Sequence, residues 1–211
     1  MIKLSSILPI DNLTWGQPSE NDIEKMAADR GELNGFDLSL FMATPPPKNS
    51  SEKTKRELQW IEKIPNNKKL IDAADDVKKY FQDFIESKGY DFPKDYVEKL
   101  IKMTNPIIRS LKFYYNRPRP NQLDKYHGLK VSNYFLSSMG TPAYPSGHST
   151  QGIFIGNVLA DMFPKYKKEL LKLGKDISYS RLVSKAHYPS DSNFGEHLGM
   201  ELYRYWRKNH A

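Results

Sequence analysis

Apolar residues spaced three and four apart constrain this chain more than any other feature of its sequence. Leu70, Ala74, Val77, Phe81 and Phe84 fall on one stripe of a helix that ends near Gly89. Val97, Leu100, Ile101, Ile108 and Leu111 make a second stripe, on a helix running from about Pro93 to Tyr115. Pro118 and Pro120 forbid its continuation and hold Arg117 and Arg119 in extended geometry. Further helices are expected from near Glu52, with Ser50 or Ser51 as its cap, and from Ser146 to Phe163, Lys175 to Ala186 and Ser190 to about Arg207. Alternating β-branched runs are missing. The fold class is therefore all-α, a compact bundle of about six or seven helices.

Before the first of these helices, residues 1–44 read as an irregular N-terminal arm with local turns. The Thr44-Pro45-Pro46-Pro47-Lys48 segment that follows is extended by its prolines. Residues 45–211 then form one helical domain, and 211 residues suffice for a single core. No stretch approaches the roughly eighteen consecutive apolar residues of a membrane-spanning helix. The most apolar run, Gly152 to Phe163, contains Asn157 and Asp161. The N-terminus turns polar by Asp11, so neither an integral membrane segment nor a secretory signal is expected.

With no cysteine, the chain has no disulfide, no thiolate metal site and no cysteine nucleophile. This fits a reducing compartment, and a soluble, cytoplasmic protein is the expectation. The net charge of +7 favours anionic partners, but the lysines are scattered along helix faces and form no long basic run. A phosphorylated small molecule suits this balance better than a nucleic acid. The histidines are His127, His148, His187, His197 and His210, with no His-x3-His pair, so no metal and no cofactor is expected.

Three clusters carry chemistry. In the first, Lys112 lies in the last turn of its helix and Arg119 just beyond it, two cations able to grip an oxyanion from two directions. The plainer alternative is that Lys112 complements the helix C-terminus and Arg119 decorates a loop. The second is Pro145-Ser146-Gly147-His148, a helix N-terminus whose free amides bind anions. Here Gly147 permits close approach, Ser146 adds a hydroxyl and His148 can protonate a leaving oxygen; a simple N-cap with a surface histidine is the competing reading. The third joins Arg181, His187 and Asp191. A carboxylate four residues after a histidine can hold one ring nitrogen and leave the other free to attack, or it can merely cap the helix that begins there, or both. His127 could line the substrate mouth, and His197 could pack or reach the site.

Taken together and in this order, Lys112-x6-Arg119-Pro120, Pro145-Ser146-Gly147-His148 and Ser180-Arg181-x5-His187-x3-Asp191 resemble the three-part signature of the type 2 phosphatidic acid phosphatase (PAP2) family. That family includes the bacterial class A nonspecific acid phosphatases and shares its site with vanadium haloperoxidases. The triple proline before the first helix and the Gly195 and Gly199 pair are similar to the acid phosphatases as well. The resemblance implies a metal-independent phosphatase acting on phosphate monoesters. Lys112, Arg119, Arg181, Ser146 and Gly147 would hold the phosphate, His187 would become phosphorylated, Asp191 would orient it and His148 would act as acid and base. The alternatives are a vanadate-dependent haloperoxidase, which resembles much longer chains, and a lipid or diphosphate phosphatase. A nucleic-acid binding protein, suggested by charge alone, would give His187 no role.

Overall fold

The computed structural model describes residues 9–209; the first residues of the N-terminal segment discussed above, and His210, lie outside them. The helices are α1 (Glu20–Ala27), α2 (Ser39–Met42), α3 (Glu52–Lys63), α4 (Lys68–Ala74), α5 (Val77–Ser87), α6 (Lys94–Tyr115), α7 (Pro120–Leu123), α8 (Gly147–Met162), α9 (Lys167–Val183) and α10 (Pro189–Lys208). Among the described residues there is no strand, and no helix is long and apolar enough to cross a membrane. The fold is all-α, as its periodicity requires. α3, α5, α6, α8, α9 and α10 are the helices of more than ten residues.

Local chemistry sets the ends of these helices. The Ser51 hydroxyl accepts from the Thr54 amide at 3.2 Å and starts α3. At the other end of α6, Asn116 takes a left-handed conformation (φ 49°) and its amide bonds the Lys112 carbonyl at 2.8 Å. The stripe from Leu70 to Phe84 is real but is shared by two helices: Asp76 accepts from the Lys79 amide at 2.9 Å and caps α5 anew. An aspartate that can cap competes with the helix it would otherwise sit inside. The resulting break leaves Asp75 with both its carbonyl and its carboxylate turned away from helical bonding. α9 begins eight residues before the expected Lys175, and Gly174 lies in its interior as a packing residue.

α8 is the centre of the bundle. It is apolar nearly all round, with Ile153, Phe154, Ile155, Val158 and Leu159 buried, and α6, α9 and α10 pack against it. Two of these contacts are made through glycine backbone. A Cβ on Gly174 would lie 2.5 Å from the Gly152 carbonyl oxygen, and one on Gly195 would lie 2.5 Å from that of Ser146. Only glycine lets the helices approach so closely.

The main core joins Phe81, Leu100, Leu111, Phe154 and Leu198 with Leu33, Phe36 and Phe41 from the N-terminal segment. A second cluster of Leu58, Ile61, Ile71, Leu182 and Tyr188 lies under α3, α4 and the α9–α10 link. Ahead of Pro45, where the sequence reading gives only turns, α1 is fixed by a Ser19–Asp22 capping box. Asp22 also pairs with Arg109 of α6.

Candidate active site

Three cations meet at one end of the bundle. Lys112 comes from the last turn of α6, Arg119 from the proline-stiffened exit beyond it, and Arg181 from the last turn of α9. All three are buried. The Lys112 ammonium donates to the Pro142 carbonyl at 2.5 Å. Arg119 donates through Nε to the Thr141 carbonyl at 2.9 Å and through Nη1 to the Ala186 carbonyl at 2.8 Å. Arg181 donates from Nη1 to the Asp75 carboxylate at 2.8 Å, while its buried Nη2 has no partner among the described residues.

Burial and mutual repulsion weaken the hold of these cations on their protons. Lys112 falls well below the ordinary lysine value, first through burial and then through Arg119. Burial also brings Arg119 down to about 10, against the pull of Asp191. No carboxylate among the described residues lies within ion-pair distance of Lys112 or Arg119. A buried cation without a counter-ion is expensive, so three of them with Asp75 as the one direct partner make a site in deficit by an anion.

Facing them is the start of α8. Ser146 is fully buried; its amide donates to the Asp191 carbonyl at 3.0 Å, tying α8 to α10. Its hydroxyl accepts from the Ser149 amide at 3.3 Å and the Ser149 hydroxyl at 2.8 Å, with Ser178 behind at 2.9 Å. Gly147 sits where a Cβ would press on Ile108 at 3.3 Å, and on the Lys112 stem at 3.8 Å. The backbone of α8's first turn is thereby brought beside the lysine. His148 Nε2 lies 2.9 Å from the Asp75 carbonyl, which assigns the proton to that nitrogen. Burial, and then Arg181, push its pKa down to about 3.

His187 lies in the link between α9 and α10. Its Nε2 is 2.9 Å from Arg119 Nη1, and its Nδ1 is 3.3 Å from Asp191 Oδ2. The guanidinium can only donate, so Nε2 accepts and Nδ1 carries the ring proton toward the carboxylate. Burial, then Arg119, hold His187 well below the ordinary histidine value and keep the ring neutral. Asp191 is the third residue of α10 and also accepts from the Tyr188 amide at 3.0 Å, so it caps the helix as well as holding the histidine. α10 begins at Pro189, three residues earlier than a cap at Asp191 would give.

Behind Asp191 stands a group that the sequence reading does not single out. Arg117 is buried, donates to Asp191 Oδ1 at 2.6 Å and to the Ser190 hydroxyl at 2.8 Å, and lies 3.8 Å over the Tyr188 ring. Its other nitrogen reaches Glu57 of α3 at 3.5 Å, and Glu57 in turn accepts from Ser190 Oγ at 2.7 Å. Burial alone would raise the Asp191 carboxyl, but Arg117 and His187 outweigh it and bring it to about 2. The sequence signal for Glu57 is its place among Thr54, Leu58 and Ile61 on the buried face of α3, where a charge needs a partner. Asp75, the counter-ion of Arg181, is equally missed.

The remaining candidates fall elsewhere. His127 Nε2 meets the Asn49 carbonyl at 2.8 Å, and His197 packs on the Phe41 ring at 5.6 Å, beside a separate cavity of about 730 Å3. Tyr144 and Tyr115 donate to the carbonyls of Thr44 and Phe41 and take part in the core. No group of three or more potential ligand side chains among the described residues is placed to hold a metal ion.

The profile of the PAP2 superfamily matches residues 100–208, slightly more than half of the chain and all three motifs. The chain belongs to the PAP2 superfamily. Among individual proteins it is similar to the non-specific acid phosphatase of Salmonella typhimurium, 27% identical over 179 residues that cover 76% of this chain and 70% of that one. The non-specific acid phosphatase of Salmonella typhi matches at 27% over 177 residues, with the same coverage. An acid phosphatase of Zymomonas mobilis is 38% identical over 110 residues, 47% of this chain and 41% of its own length.

Proposed function

We propose that this chain is a phosphatase that hydrolyses phosphate monoesters of small molecules through a phosphohistidine at His187, without a metal. The observation that carries the reading is the anion deficit: Lys112, Arg119 and Arg181 are buried, Arg119 touches the unprotonated Nε2 of His187, and among the described residues Asp75 is their one directly paired carboxylate. A phosphate dianion supplies the missing charge. Phosphoryl transfer asks for positioning and neutralisation of the equatorial oxygens, and three cations with a helix N-terminus provide both. The relatives named as acid phosphatases support the same chemistry.

In the first step the His187 Nε2 lone pair attacks phosphorus in line, the bond from phosphorus to the ester oxygen breaks, and His148 gives its proton to the departing alkoxide. Asp191, held by Arg117, balances the positive charge that the phosphorylated ring acquires. In the second step His148 takes a proton from water, the water oxygen attacks phosphorus, and the P–N bond breaks to return neutral His187 and inorganic phosphate. His148 must be protonated for the first step although burial and Arg181 depress it in the free protein. The incoming dianion offsets Arg181 and Lys112 and so favours the imidazolium when substrate is present.

The test is turnover of a generic aryl phosphate by purified protein across pH, with excess chelator, with orthovanadate, and in His187→Ala. Expected are activity that survives chelation, block by vanadate and loss of at least about 10³-fold in the variant. Full activity in His187→Ala would remove the nucleophile and the mechanism with it. Loss on chelation would overturn metal independence.

A further inference from the structure

A pocket of about 310 Å3 opens in front of Lys112, Gly147 and His148. That is the small end of the range for small-molecule sites, about 300–1,000 Å3. Arg119, Arg181 and His187 lie behind it and do not line it, so it is the opening on the side of the proposed acid, His148, where a leaving group would lie.

Its walls continue the motif helices. Gln151 follows His148 by three residues on α8, and Asn105, Ile108 and Arg109 precede Lys112 by seven, four and three on α6, so each shares a face with its motif residue. The third wall is the start of α1, where Asn21 stands beside Asp22, and the Asp22–Arg109 ion pair fastens that wall to α6. Ser137 and Ser138 complete the rim.

The chemistry of this lining is selective by what it offers. Among the described residues its lining holds no Phe, Tyr or Trp, and its one ring is the His148 imidazole, which the proposed mechanism commits to the leaving oxygen, so a nucleobase finds no free face to stack on. Ile108 is its one aliphatic side chain, too little for an acyl chain or an aryl ring. A second phosphate would need another cation, and Arg109 is already paired with Asp22. What the pocket does offer is a ring of neutral donors and acceptors. Gln151 Nε2 donates to both Thr104 Oγ1 and Asn105 Oδ1, at 3.1 Å each. These bonds fix both amides and leave a carbonyl oxygen from Gln151 and an amide nitrogen from Asn105 for the pocket. An adjacent acceptor and donor match neighbouring hydroxyl groups, each of which gives one hydrogen bond and takes another.

We infer that this pocket is the leaving-group subsite for a small polyhydroxylated alcohol, so that the substrate is a sugar monophosphate and α1 of the N-terminal segment is part of its recognition. The inference rests on the phosphatase reading above. A site that hydrogen-bonds hydroxyls favours a leaving group that carries them; Gln151 and Asn105 are half-buried and the rim is exposed, so water can replace the missing partner and the discrimination is moderate.

The experiment compares kcat/KM of the full chain for glucose 6-phosphate, an aryl phosphate and adenosine monophosphate, then repeats the first two with Gln151→Leu and Asp22→Ala. The sugar ester is expected to exceed both others by about tenfold or more. Either variant should lower the ratio of sugar to aryl turnover by about tenfold, through KM more than kcat. Preference for the nucleotide or the aryl ester by the wild-type chain overturns the inference and leaves the phosphatase reading standing, as does an unchanged ratio in well-folded variants. Absence of turnover with every ester overturns the phosphatase reading itself. The wild-type comparison needs no variant, so misfolding of either substitution does not shield the inference.

Discussion

Arg117→Gln isolates the part of the site that touches no substrate. Its guanidinium is 2.6 Å from Asp191 Oδ1, with side-chain exposures of 1% and 0% for the two partners. Breaking a buried pair by removing one member costs about 3–5 kcal/mol, because the survivor is left as an uncompensated charge. For a chain of this size that is a fall in thermal midpoint of about 6–20 °C. The functional effect follows from Asp191. Its carboxyl is held to about 2 because Arg117 and His187 outweigh burial. Without Arg117 the largest lowering influence is gone while the His187 and Tyr188 hydrogen bonds remain, so burial carries the carboxyl upward from about 2. Once protonated, Asp191 is a weaker acceptor for the His187 Nδ1 proton and no longer balances the charge that a phosphorylated ring would acquire. The acidic limb of kcat against pH should therefore move upward, while KM barely changes. Arg117→Lys, which restores the charge without the fork, should recover the acidic limb in part, and Glu57→Gln should give a smaller shift of the same sign. An Arg117→Gln enzyme that folds and keeps the wild-type acidic limb would refute the reasoning, since a merely structural arginine has no hold on the pH profile.

Two further outcomes follow from the same geometry. His148 is depressed to about 3 from 6.5, His187 is depressed as well, and Asp191 sits near 2 against 3.8. All three bind protons more readily unfolded, so their stability contribution is complete above pH 6.5, falls as the pH drops toward 3, and loses the Asp191 share below 3.8. Thermal midpoints measured from pH 7 to 4 should fall steadily, and inorganic phosphate at pH 4 should restore part of the loss by occupying the cations; a flat profile would contradict the burial of neutral histidines. Gly195→Ala would place a methyl 2.5 Å from the Ser146 carbonyl oxygen, at a cost of about 1–3 kcal/mol for overpacking. Because the Ser146 amide bonds the Asp191 carbonyl across that same contact, kcat should fall further than a calorimetric loss of that size would suggest, and wild-type kcat in this variant would argue against the coupling.

How far the sequence reveals this site depends on how local each contact is. Lys112 and Arg119, Ser146 to His148, and His187 with Asp191 lie within a few residues of one another, so helix ends and capping chemistry are enough to place each group. The Arg117–Glu57 contact spans 60 residues and the Arg181–Asp75 contact 106. Their pairing depends on how α3 and the α4–α5 break dock on the bundle, which periodicity does not encode. The Leu70–Phe84 stripe marks the buried face correctly but is blind to the break at Asp75 and Asp76, because α4 and α5 keep their apolar residues on the same side. A helix expected only from Lys175 omits the first eight residues of α9, where Gly174 is an interior contact. α1 escapes notice because its capping box closes on Asp22 rather than on the usual glutamate or glutamine.

The two glycine contacts of α8 divide the molecule into parts that can change and a part that cannot. Against Gly174 and Gly195 the helix is spaced by main-chain atoms, whose dimensions no substitution alters. Ser146, Arg181 and Asp191 ride on the three helices so spaced, and their mutual distances are gauged by the polypeptide itself. The walls of the inferred leaving-group pocket are gauged by side chains, contributed by α1, by Ser137 and Ser138, by the second half of α6 and by the first turns of α8. On the proposed reading, exchange of those walls would alter which alcohol is accepted without moving the atoms that handle phosphorus, and new specificities on this scaffold would be reached by rewriting its rim.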